Sequence, residues 1–161
     1  MKNKLMAWLA VAFWMALIFM LSHQPGSVSS GLSDGVSKIF LDFAGDFLPG
    51  STELFHTFVR KNAHFFAYLI LAVLLVNALG NWGRLTGRAL LAAFAIAVAY
   101  AITDEFHQLF IEGRSGELRD VLIDSFGAAA GIAISRMSGF IVQKRQEKIC
   151  PEKQCIDTQI K

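Results

Sequence analysis

The stretch AVAYAITDEFHQLFIEGR, residues 97–114, begins as an apolar run fit for a membrane interior and ends by carrying Asp104, Glu105, His107 and Gln108. An acid at mid-membrane lies about 2.5–3.5 kcal/mol uphill on insertion scales, a cost relieved by pairing with a cation or facing water. Two adjacent acids therefore imply partners from other segments, and the rest of the sequence is read for them.

The composition supports a membrane setting. Of 161 residues, 54% are hydrophobic and 17% charged, against roughly 45–50% and about 25% in a soluble domain. The excess is gathered into four runs. The first is LMAWLAVAFWMALIFML, residues 5–21, preceded by Lys2 and Lys4. No small-x-small cleavage site follows it, which favours an uncleaved span over a signal peptide. The others extend from about Ala63 to Leu79, from Ala89 to about Ile111 and from Val121 to Met137. Crossing about 30 Å of hydrocarbon takes roughly 20 helical residues, so polar residues at the ends of these short runs lie at or just inside the interfaces. All three prolines, Pro25, Pro49 and Pro151, fall outside the spans, as helices prefer.

The fold expected is all-α, an integral membrane bundle of four transmembrane helices, with residues 1–140 as the membrane domain and 141–161 as a polar cytoplasmic tail. With the N-terminus inside, ten Lys and Arg (residues 2, 4, 84, 88, 136, 144, 145, 148, 153 and 161) flank the inner side. Five (residues 38, 60, 61, 114 and 119) flank the outer side. This bias predicts that both termini lie in the cytoplasm. In the first outer loop, Leu32, Val36, Ile39, Phe40, Phe43 and Phe47 recur at helical spacing among Ser33, Asp34, Lys38, Asp42 and Asp46. They predict an amphipathic helix, lying on the interface or capping the bundle. His23 and His56 read as interfacial polar residues, and Trp82 as an interfacial anchor. Cys150 and Cys155, alone in the tail, make a weak metal signal.

The same topology collects polar groups from three spans at the outer end. Lys61, His64 and Tyr68 fall at i, i+3 and i+7, one stripe of a helix. Asp104, His107 and Gln108 share a face of the third span, with Glu105 beside it. Asp104 lies about 24 Å along that helix from Arg88, ~6 Å short of the far boundary, so neighbouring helices must shelter it from lipid. Asp120, Asp124, Gly127 and Gly131 form a stripe on the fourth span, where Gly-x-x-x-Gly permits close backbone approach. The loop EGRSGELR adds Arg114 and Arg119 above them.

The segments SHQPGSVSSGLS (22–33), Lys61-x-x-His64-Phe65-x-x-Tyr68 and DEFHQLFIEGRSGELRDVLIDSFGAAAG (104–131) resemble the VanZ-like family of small bacterial membrane proteins. The resemblance covers most of residues 15–135 and leaves out the C-terminal tail. Asp124 stands where many members carry Asn. The resemblance implies a multi-pass membrane fold and a link to low-level resistance to the glycopeptide teicoplanin, without specifying chemistry.

Three functional readings follow from the residues. The first is an outward-facing pocket for an anionic envelope component, a lipid-linked precursor or headgroup. Its ligand-binding set is Lys61, His64, Tyr68, Asp104, Glu105, His107, Gln108, Arg114, Arg119, Asp120 and Asp124, with Lys and Arg supplying charge and the others hydrogen bonds. The second is a membrane enzyme in which His64 or His107 works as general acid or base beside Asp104 or Glu105. It lacks G-x-S-x-G, H-E-x-x-H or any other nucleophile motif. The third is a charge network that only ties the helices together. His64, His107, Asp104 and Glu105 are suitable metal-ligand types at unspecific spacing, so no metal or cofactor is expected. Membrane lipids are the expected partners, and nucleic acid is not.

Overall fold

A computed structural model describes residues 2–25, 52–80, 86–114 and 116–149. They form four helices: α1 (Lys2–Ser22), α2 (Thr52–Leu79), α3 (Gly87–Gln108) and α4 (Leu118–Ile149). The described residues contain no strand. Each helix includes a stretch long and apolar enough to cross a membrane: Lys4–Ser22, Thr57–Leu79, Gly87–Gln108 and Leu118–Gly139. The chain is therefore a multi-pass membrane protein. The predicted amphipathic segment bearing Leu32 to Phe47, together with Trp82, Cys150 and Cys155, lies outside the described residues.

Helix boundaries depart from the apolar runs. α2 starts at Thr52, well before Ala63, and α4 continues to Ile149, past Met137. Hydropathy marks where hydrocarbon begins, whereas a helix persists as long as its backbone bonds are made within the segment. In the other direction, α3 stops at Gln108 instead of reaching Ile111. Its last turn tightens through i to i+3 bonds, Phe110 N–H to His107 O and Ile111 N–H to Gln108 O, as helix ends commonly do. Gly113 then adopts φ 74°, a left-handed turn that glycine enters without a Cβ penalty. At its other end α3 opens on Thr86, whose hydroxyl accepts from the Ala89 N–H, an N-cap that satisfies one otherwise free donor.

Outside, the bundle presents large apolar side chains, among them Phe13, Phe66, Leu91, Phe106 and Phe126. Exposure on this scale suits lipid, since water-soluble monomers rarely tolerate such surfaces. Inside, packing relies on small residues. Ala93, Ala97 and Ala101 form a fully buried stripe of α3 facing Tyr68, Leu71, Ala72 and Leu75 of α2, with Val11 and Ile18 from α1. Lipid is as apolar as a leucine core, so close contact and hydrogen bonds hold membrane helices together. Two such bonds cross the bundle: Trp14 Nε1–H to the Ala67 carbonyl at 2.9 Å and Tyr100 O–H to the Met15 carbonyl at 2.6 Å.

The tightest approach joins α2 and α4. A Cβ on Gly127 would collide with the Phe65 carbonyl, and one on Gly131 with the Leu69 carbonyl. Both contacts advance by four residues on each helix, so α2 and α4 run parallel, starting from the end where α1 and α3 finish. That shared end carries the polar residues.

Gly127→Val should destabilise the bundle by about 1–3 kcal/mol, the usual cost of overpacking, since the opposing atom is backbone. Gly87, with open space around it, is the control. Thermal unfolding of the purified protein in detergent should show a lower Tm for Gly127→Val and an unchanged or raised Tm for Gly87→Ala.

Candidate functional site

The polar end is built in two tiers. In the deeper tier lie Asp104 (3% exposed), Glu105 (5%) and Gln108 (0%) from α3, with Asp124 (0%) from α4 and Tyr68 (0%) from α2. His64, half-buried on α2, places Nδ1 3.6 Å from Asp124 Oδ1. Glycine contacts set this meeting, because His64 precedes Phe65 by one residue and Asp124 lies one turn above Gly127. Asp104 Oδ2 accepts from Ser22 Oγ–H at 2.9 Å and from Gln108 Nε2–H at 3.4 Å. Glu105 Oε2 accepts the backbone N–H of Glu117 at 3.0 Å. That bond folds the loop back over the end of α3, where a Cβ on Gly116 would stand 2.7 Å from the Glu105 carbonyl.

The upper tier holds the cations. Lys61 Nζ lies 3.3 Å from Asp120 Oδ1 and 3.8 Å from Glu117 Oε2. Arg60 donates from Nη2 to Gln108 Oε1 at 3.0 Å, and Arg114 from Nη2 to the Leu21 carbonyl at 3.2 Å. The Nε and Nη1 groups of Arg114 are buried without a hydrogen-bond partner. Burial pushes the Arg114 guanidinium below its ordinary pKa, and the charge of Arg60 adds to the shift; Asp104 and Glu105 oppose it. The two guanidiniums thus lie within electrostatic reach of one another, with neither in an ion pair among the described residues.

The lower tier is as short of partners. Among the described residues, Asp104 Oδ1, Glu105 Oε1, both oxygens of Asp124 and the Tyr68 hydroxyl are buried without a hydrogen bond. Native interiors pair nearly all such groups, and exceptions concentrate where chemistry or a ligand is involved. Charge-network readings of this end explain Lys61, Asp120 and Ser22 but leave these atoms unexplained.

The structure thus brings together most of the residues expected from sequence: Lys61, His64, Tyr68, Asp104, Glu105, Gln108, Arg114, Asp120 and Asp124. Two stand apart. His107, on the Asp104 stripe by spacing, instead turns to α1, where its Nε2 meets His23 Nδ1 at 3.0 Å and its ring packs on Phe19. His23 is accordingly a helix-pairing group. Arg119 is exposed in the first turn of α4. Three participants were not anticipated: Glu117, in the loop before α4, along with Ser22 and Arg60. Ser22 ends an apolar run and carries no charge to draw notice; Arg60 lies about 100° around the helix from Lys61 and its stripe.

A family model described as VanZ/LLP1 matches residues 7–141. The chain belongs to the VanZ/LLP1 family. Comparisons with curated proteins and with solved structures give no match. In this VanZ/LLP1 protein the matched region takes in the last three spanning segments, all but the first three residues of Lys4–Ser22, and both tiers of the polar end.

The Ser22–Asp104 bond is the direct tie between α1 and the deeper tier. A double-mutant cycle with Ser22→Ala and Asp104→Asn should give a coupling on the order of 1 kcal/mol or more, as for hydrogen bonds to charged acceptors. Additive Tm losses would show that the bond contributes nothing.

Proposed function

We propose that this protein binds the anionic headgroup of a lipid-linked envelope component at its polar end, which faces outward from the bacterial cytoplasmic membrane. The observation that carries the reading is the guanidinium pair. Arg60 and Arg114 are within electrostatic reach of one another, neither in an ion pair among the described residues, and Nε and Nη1 of Arg114 have no hydrogen-bond partner there. Arginine grips phosphate or carboxylate through two parallel bonds, from Nε with Nη2 or from Nη1 with Nη2, and the second N–H of Nη2, beside its bond to Leu21, completes such a fork. Lys61, the residue after Arg60, adds a third cation, held by Asp120 and Glu117. The depth of the site, one to two turns below the helix ends, suits a headgroup whose tail remains in lipid. The distribution of Lys and Arg, ten against five, supports cytoplasmic termini, and the VanZ resemblance suggests teicoplanin resistance as the setting.

A second reading draws on the His64–Asp124 pair. An imidazole beside a buried carboxylate is the arrangement of an oriented general acid–base group, which would make the protein an enzyme acting on the lipid-linked substrate. Binding and turnover are separable in one assay. A polyisoprenyl phosphate added to the purified protein should appear as a one-to-one adduct in native mass spectrometry. Arg114→Gln should weaken it by roughly 10–100-fold, the equivalent of a charge-assisted hydrogen bond. Arg88→Gln, exposed at the opposite end of α3, should leave it unchanged. Equal binding by wild type and Arg114→Gln would reject the headgroup site. Conversion of the lipid to a product, lost in His64→Gln, would promote the enzyme.

Orientation has its own test. With Cys150 and Cys155 replaced by serine, Glu112→Cys should react with an impermeant maleimide in intact cells and Thr86→Cys should not. The reverse pattern would invert the topology and turn the polar end toward the cytoplasm.

A further inference from the structure

The buried acids pose a separate question from the guanidinium pair above them. His64, Glu105 and Asp124 come from three different helices, and each offers one ligand atom such that all three atoms lie within 4.8 Å of one another. Bonds of about 2.0–2.2 Å to a shared centre place ligand atoms roughly 3.3–4 Å apart. Small side-chain rotations therefore suffice to close the set. The three differ in kind from an ordinary acidic cluster, since one is an imidazole and since a ligand atom of each converges from a different helix. Among the described residues, neither oxygen of the completely buried Asp124 accepts a hydrogen bond, with His64 Nδ1 3.6 Å from Oδ1, and Glu105 Oε1 accepts none while Oε2 is anchored by the Glu117 N–H. A second observation points the same way. The Tyr68 hydroxyl, fully buried one turn along α2 from His64, also has no partner, and it lies within electrostatic reach of Asp104, Asp124 and Glu105.

We infer that His64, Glu105 and Asp124 form a binding site for a first-row divalent cation, zinc fitting best, with the Tyr68 hydroxyl beside the open coordination position. One imidazole and two carboxylates match the nitrogen and oxygen donors that zinc takes, and three protein ligands leave a position free. A divalent ion would offset the charge of the two carboxylates, beside which His64 lies. The Glu105–Glu117 bond acts as an outer partner that orients one ligand, as is usual around bound metals. The site stands without the headgroup reading and is tested without any lipid.

The protein carrying Cys150→Ser and Cys155→Ser, so that tail thiols contribute nothing, is purified in detergent, treated with chelator and titrated with Zn²⁺ alone. One equivalent should bind, measured by calorimetry and by metal analysis after gel filtration, and Zn²⁺ should raise the Tm. Co²⁺ should bind in its place and give visible absorption bands of low-coordinate geometry. His64→Gln, Glu105→Gln and Asp124→Asn should each weaken Zn²⁺ by more than about 10-fold, the loss that even an outer-shell partner carries. Glu112→Gln, on the exposed turn, should bind as wild type does. Less than a tenth of an equivalent on the wild type would overturn the site. So would binding unchanged in Asp124→Asn and His64→Gln, or a preference for Mg²⁺ over Zn²⁺. Should one variant fail to fold, the Co²⁺ spectrum and stoichiometry of the wild type decide alone.

Discussion

Close backbone contact between α2 and α4 governs the rest of this bundle. At Gly127 and Gly131 the two helices approach until the carbonyls of Phe65 and Leu69 occupy the space a Cβ would need. Hydrophobic burial cannot drive this association in lipid, so contact distance itself supplies the attraction. The consequence is chemical. Because α2 and α4 run parallel at this distance, the residues one turn above the glycines face each other, and His64 meets Asp124. The alanine stripe of α3 then packs against α2, which carries Asp104, Glu105 and Gln108 into the same space. Packing of the smallest residues thus determines where the most polar ones converge.

That convergence is costly. Removing a carboxylate from water costs several kcal/mol even after relaxation, and attraction to a partner repays this only with good geometry and satisfied lone pairs. Lys61 pairs with Asp120 near the surface at 3.3 Å, and Ser22 and Gln108 provide for one oxygen of Asp104. Below them, Asp124 and the free oxygens of Asp104 and Glu105 do not meet those conditions. Above, the guanidiniums of Arg60 and Arg114 repel one another, and among the described residues neither forms an ion pair. A purely structural network would have been arranged to pair the two tiers. Here each keeps unspent capacity of one sign, cations at the rim and anions beneath, which suits a site that receives an anion from the lipid side and a cation within.

Much of this was legible before any coordinates. Runs of about twenty apolar residues announce spans, and the polar residues at three span ends could only meet at one face of the membrane. Gly127 and Gly131 announced a close approach. What spacing could not supply was rotation and register between helices. His107 shares a stripe with Asp104, yet the crossing of α1 and α3 turns it toward His23 and Phe19. Ser22 and Arg60 enter the site from outside the predicted stripes, since partner choice depends on which helix faces which. The pairing of Glu105 with the returning loop depends on the Gly113 turn and on the Gly116 contact, a tertiary arrangement with no periodic signature. The convergence of His64, Glu105 and Asp124, one residue from each of three helices, was invisible for the same reason.

The central claim is that the deep carboxylates are held for a ligand at the expense of the bundle's own stability. Thermal unfolding of metal-free, lipid-depleted Asp124→Asn against wild type tests it most directly. The change keeps the side chain's shape and removes a fully buried charge that His64, at 3.6 Å, offsets without a hydrogen bond. The account predicts a higher Tm for the variant, by about 2–4 °C for each kcal/mol relieved. A lower Tm would contradict it, because it would mean that the Asp124 carboxylate holds the helices together.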